Sequence, residues 1–137
     1  MNEVRPEGDG EIPPELVGTW EIVRYDDRER ETEEWQPAFR GDMRGVVTYH
    51  RTGLWTVQVY AGPLDLYDAA YVGYFGTATL HEGVREAGVV RGNLVVDVLG
   101  ASNQEALTYA GRPVEIDGDT LLIGNQLTWV REGRRLR

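Results

Sequence analysis

From Leu16 onward, apolar and polar residues alternate in short runs, with Gly, Asn and Asp standing between the runs. Such alternation marks half-buried strands, whose side chains point to opposite faces in turn. The stretch ELVGTWEIVRY predicts a first strand over Val17–Tyr25. GVVTYHRTGLWTVQVY predicts a hairpin, with strands near Gly45–His50 and Leu54–Tyr60 about an Arg-Thr-Gly turn. YVGYFGTATLHEG and RGNLVVDVLG each predict one strand. EALTYAGRPVEIDGDTLLIGNQLTWVRE predicts three more, broken at Asp-Gly-Asp and at Gly-Asn. The total is about eight strands, mostly joined by tight turns, with no long helical period. The expected fold is all-β: an antiparallel up-and-down eight-stranded barrel with short connecting helix or 3-10 turns. A β-sandwich is the second choice. PPEL predicts a 3-10 turn, and AGPLDLYDAAY a short helix or a lid over the barrel. The run Asp26–Trp35 is highly charged and aperiodic, so it reads as a loop or as a flap edged by Trp35 and Phe39.

Length and composition narrow this picture. The 137 residues suffice for one core, and we divide them into a disordered tail over 1–12, the barrel over 13–133 and a basic tail over 134–137. The net charge of −9 argues against nucleic acid and anionic membranes as partners. The polar first ten residues contain no apolar h-region, so the cytoplasm is the expected location. There is no Cys and no Lys, which removes thiolate and Schiff-base chemistry on side chains. The lone serine, Ser102, lacks a nucleophile-elbow context, and two histidines, His50 and His81, are too few for a His-rich metal site. No metal and no cofactor is expected.

Several stretches carry a family resemblance. They are Leu16-x-Gly18-x-Trp20 in the first strand, Gly45, Val47, Tyr49 and Gly53 in the hairpin, Phe75-Gly76-Thr77, Ile116-Asp117-Gly118-Asp119-Thr120-Leu121, and Leu127-x-Trp129-x-Arg131. In this order and spacing they resemble the bacterial lipocalin-like domain family, a calycin-type barrel, over roughly Glu15 to Glu132. The stretch GVREAGVVRGN departs from the pattern, since many members have a histidine-containing strand there. The resemblance implies a barrel with an internal ligand cavity. Many relatives only carry hydrophobic molecules, and some small barrels of this kind catalyse cyclisations or isomerisations in natural-product pathways.

The alternation then nominates side chains for that interior. If Trp20 points inward, a period of two places Ile22 and Arg24 inward too. Arg24 either anchors a ligand oxygen or lies at the rim and meets an acid such as Asp26 or Glu115. Tyr49 stands at a matched family position. In the next strand Trp55, Val57 and Val59 alternate with Thr56, Gln58 and Tyr60, and either set can line the interior. Tyr74 is an aromatic of the same kind. Asp97 interrupts an apolar strand, as a general acid or base or as a solvent-facing group; its own face is the less uniformly apolar, which favours the outside. Tyr109 and Arg112 would form an oxyanion-type clamp if they converge. His50 and His81 read as strand-end residues near solvent. Gly18 and Trp20 read as the closed floor of the cup, with Arg131 stacked across the indole.

The expected function is binding of a small, largely apolar molecule inside the barrel by a cofactor-independent cyclase or isomerase of polyketide-like natural-product biosynthesis. Arg24, Tyr49 and Asp97 are its candidate catalytic residues, and Trp55, Val57, Gln58, Tyr74, Tyr109 and Arg112 its candidate ligand contacts. The alternative is a non-catalytic lipocalin-like carrier of a hydrophobic ligand. A third reading is a protein-contact module with a filled barrel. A homodimer is compatible with a barrel of this size, though no sequence feature demands one.

Overall fold

The computed structural model describes residues 11–38, 42–62, 70–102 and 111–136. Nine strands follow one another: β1 Gly18–Asp27, β2 Gln36–Pro37, β3 Met43–Tyr49, β4 Leu54–Ala61, β5 Ala70–Glu86, β6 Val89–Ala101, β7 Arg112–Asp117, β8 Thr120–Ile123 and β9 Trp129–Arg135. All pairings are antiparallel, in the order β2-β1-β3-β4-β5-β6-β7-β8-β9. The pairing of β1 with β9 closes eight of these strands into a barrel, and the two-residue β2 hangs on the far end of β1. Closure leaves the eight strands no free edge along their length. The fold is a lipocalin-like barrel. Among the described residues there is no helix: Leu16 and Val17 bond back to Pro13 and Pro14 in simple turns. AGPLDLYDAAY lies largely outside the described residues, as does Phe39.

The up-and-down order gives the barrel two unlike ends. The tight connections β3–β4, β5–β6 and β7–β8 share one end; the long ones, β1–β3, β4–β5, β6–β7 and β8–β9, share the other. The first end is plugged. Trp20 is fully buried there, its indole N–H donating to the Leu16 carbonyl at 3.0 Å. A cation does cover the ring, but it is Arg135 rather than Arg131, with the guanidinium 4.2 Å from the ring centroid. The cause is register: β1 and β9 pair Trp20 with Arg135 and Tyr25 with Arg131. Arg135 also donates to the carbonyls of Val17 and Glu15. Residue 135 therefore belongs to the last strand and not to a tail. Likewise Glu11 and Ile12 belong to the barrel. Glu11 bridges Leu80, and Ile12 packs on the core; residues 1–10 of the expected tail lie outside the described residues.

Gly18 is explained by the same corner. Its φ is +132°, a conformation that strains residues with a Cβ, and a Cβ there would sit 3.0 Å from Arg135 Nη1. Gly18→Ala is expected to destabilise the barrel by about 1–3 kcal/mol, read as a lower urea midpoint at unchanged slope.

Candidate functional site

The interior face follows from alternation on each strand. On β4, Trp55, Val57, Val59 and Ala61 are buried, while Leu54 and Gln58 are exposed. The uniformly apolar set faces in because burying it removes the most hydrocarbon from water. Gln58 therefore lies on the outer surface, a correction to its expected place in the lining, and Trp55 and Val57 lie inside. On β6, Leu94 and Val96 are buried and Asp97 is exposed. Asp97 faces solvent opposite Thr77, not the interior.

Arg24 is likewise not where a period of two puts it. A β-bulge between Ile22 and Arg24 shifts the β1–β9 register by one residue. The side-chain parity of β1 inverts beyond it. Arg24 turns outward, pairs with Asp26 at 2.7 Å and lies 5.2 Å from the Trp35 ring centroid. Arg28 faces the same ring at 4.5 Å, so Trp35 is held beside the strand by two cations. Inverted parity brings Tyr25 to the interior instead. Arg131 stacks on the Tyr25 ring at 3.6 Å and donates to Asp27 Oδ1 at 2.8 Å.

These shifts assemble one polar cluster within the apolar core. Arg112, the first residue of β7, is 7 % exposed, the sole charged residue so deeply buried among those described. Its guanidinium sits 5.4 Å from the Trp55 ring centroid. Arg112 and Tyr25 both lie close enough to the Tyr74 phenol to shift its pKa, Arg112 down and Tyr25 up. Trp55 and Tyr74 meet edge to face at 5.1 Å, and the Trp55 indole lies beside the Tyr49 phenol. Ile22, Val47, Val57, Leu121 and Ile123 wall this cluster. The cavity between these groups measures about 30 Å³, room for about one water. Of the nominated residues, the structure thus gathers Tyr49, Trp55, Val57, Tyr74 and Arg112. It leaves Arg24, Gln58 and Asp97 outside, and Tyr109 falls outside the described residues. Tyr25 was missed: without the bulge it reads as outward.

Burial sets the chemistry of the phenols. Desolvation pushes the Tyr74 pKa up to about 12; Tyr25 adds to the rise and Arg112 opposes it. Desolvation raises that of Tyr49 further, again against the pull of Arg112. Both phenols therefore stay protonated at neutral pH, so each can still donate a hydrogen bond to a ligand oxygen. A stability consequence follows. Above pH 10 the unfolded chain loses phenolic protons that the folded chain keeps, so the unfolded state binds fewer protons and stability falls. Stability from Tyr74 is fully present below pH 10 and is lost as pH rises to about 12. Chemical denaturation at pH 9 and pH 11 should show this drop, and Tyr74→Phe should lessen it.

The histidines take no part in this cluster. His50 is exposed beside the β3–β4 turn, and His81 bonds Thr79 Oγ1 at 2.9 Å. Among the described residues no group of three or more His, Cys, Asp or Glu could hold a metal ion. No helix among them is long and apolar enough to cross a membrane.

The barrel closure, the plugged end and the interior donors together define a lipocalin-like barrel with a polar cluster beneath its loop-bearing end. Comparison with known proteins adds no closer identity: no family model, no curated protein and no solved structure matches the chain.

Proposed function

We propose that the barrel binds a small, largely apolar molecule bearing a carbonyl or carboxylate oxygen, which Arg112 and Tyr74 hold by hydrogen bonds. One observation carries this reading: Arg112, only 7 % exposed, has its guanidinium against Trp55 and beside Tyr74 within the barrel. A guanidinium and a protonated phenol both donate, so negative charge that grows on an oxygen between them is stabilised in a site of low dielectric. Cyclisation or isomerisation of a flexible polyketide-like chain needs such donors, a shaped apolar wall and exclusion of water. It needs no nucleophile and no cofactor. On this reading the protein is a cofactor-independent cyclase or isomerase of natural-product biosynthesis. The motifs around Trp20, Tyr49, Phe75, Asp117 and Trp129 ally it with the bacterial lipocalin-like domain family. Because the closed cavity measures about 30 Å³, a ligand enters by swinging side chains aside, Tyr25 and Arg131 first.

A second reading, a carrier without turnover, is favoured by the raised phenol pKa values. Neither Tyr49 nor Tyr74 accepts a proton at neutral pH, so neither serves as a general base. The discriminating experiment incubates the protein with a linear 1,3-dicarbonyl polyene and follows species of unchanged mass by chromatography. An enzyme forms a same-mass product of altered retention faster than buffer does. A carrier binds the probe and leaves it unconverted. Neither binding nor conversion overturns both readings.

A further inference from the structure

The outer surface of the barrel carries a feature that the interior does not explain. In a chain of net charge −9, the outward positions of β4 are Leu54, Thr56, Gln58 and Tyr60, and those of β5 from Tyr71 to Thr79 are Tyr, Gly, Phe, Thr and Thr. None is charged. Tyr71 is 57 % exposed and Phe75 47 %, and Leu99 on the adjoining β6 is 61 % exposed. Part of this has a local cause: each aromatic side chain lies across a glycine, Tyr71 over Gly73 and Phe75 over Gly100, where a Cβ would meet the Tyr71 hydroxyl and the Phe75 ring at 2.6 Å. That contact covers one side of each ring and leaves the other bare. Beside the rings is a groove of about 400 Å³, bounded among others by Thr56, Gln58, Gly73 and Ser102.

We propose that this face is a homodimer interface, its occupant a second copy of the chain packed two-fold against it. Three observations on the surface favour a copy over an unlike partner. The patch is free of like charge on an acidic molecule, so two copies meet here without the repulsion that the rest of the surface imposes. Its composition, rich in aromatics and depleted in charge, is that of an interface core. It holds both knob and hole, and an isologous contact sets the Phe75 ring of each copy in the other's groove. The flanking charges, Arg44 on β3 and Asp97 on β6, are of opposite sign. The four strands β3 to β6 are half of the closed eight-stranded barrel, so the face curves away on either side and the contact centres on the crest of β4 and β5 and the groove beside it.

Sedimentation equilibrium of the full chain tests this without reference to any ligand. The wild type is expected at twice the monomer mass. Phe75→Glu and Gln58→Arg are each expected at the monomer mass with an unchanged circular dichroism spectrum; Gln58→Arg leaves the ring–glycine contacts intact, so it reports on the interface should Phe75→Glu misfold. Glu29→Arg, away from the face, leaves the dimer intact. A wild type that remains monomeric at the highest soluble concentration overturns the proposal. So does a dimer that survives both substitutions, which would put the contact elsewhere.

Discussion

Trp20→Ala is expected to remove about 3–5 kcal/mol of stability, a large share of the roughly 5–15 kcal/mol that holds a domain together. The indole is fully buried at the plugged end, so its removal leaves a cavity bounded by elements that cannot all close on it. Its N–H bond to Leu16 is lost as well, and with it the anchor of the segment that leads into β1. Arg135 loses the ring it covers at 4.2 Å, a contact worth about 0.5–2 kcal/mol. Arg135→Gln should cost less, because it removes the stacking and the bonds to Val17 and Glu15 but leaves the indole packed. A double-mutant cycle on urea midpoints then isolates the stacking. If Trp20→Ala shifts the midpoint no more than a typical surface substitution does, the indole is not the floor of the barrel.

Arg112→Met is expected to separate binding from stability. Methionine fills much of the same volume and buries no charge, and exchanging a buried charge for a packed apolar side chain is often neutral or stabilising. Binding should respond differently. A hydrogen bond from a charged donor contributes about 1.5–3 kcal/mol, so affinity for a probe carboxylate such as decanoate should fall about 10- to 100-fold. Arg112 also lowers the pKa of both Tyr49 and Tyr74. Its loss should therefore move phenolate absorbance to still higher pH, a readout that a merely structural role for Arg112 would not move. Titration calorimetry for binding and alkaline spectrophotometry for the phenols measure the two effects on one variant. Undiminished affinity with a shifted phenol titration would remove Arg112 from the ligand site while leaving the cluster intact.

How far these features were legible in the sequence depended on whether they were local. Alternation is local, so the barrel strands followed from it, but on β4 it left open whether Trp55 and Val57 or Thr56 and Gln58 face in, which burial in the closed barrel decides. The more uniformly apolar face favoured Asp97 outside on β6, against its nomination as a catalytic residue, and the same test applied to β4 would have excluded Gln58. A bulge is not local. The one between Ile22 and Arg24 arises where β1 pairs with β9 to close the barrel, and no Gly or Pro marks it. It moved Arg24 out to Asp26 and brought in Tyr25. Register is equally non-local. Arg131 and Arg135 share one face of β9, and only the pairing with β1 decides which of them covers Trp20. Convergence of Arg112 with Tyr74 required the closed barrel, which brings the start of β7 across to β5.

The most direct test of the central claim is a crystal structure of the full chain grown with decanoate. The account predicts the carboxylate within hydrogen-bond distance of Arg112 and Tyr74, the alkyl chain along Val57, Leu121 and Ile123, and the Tyr25 ring displaced from its present position. An interior still closed around about 30 Å³, with decanoate absent or bound only on the outer face of β4 and β5, would contradict it.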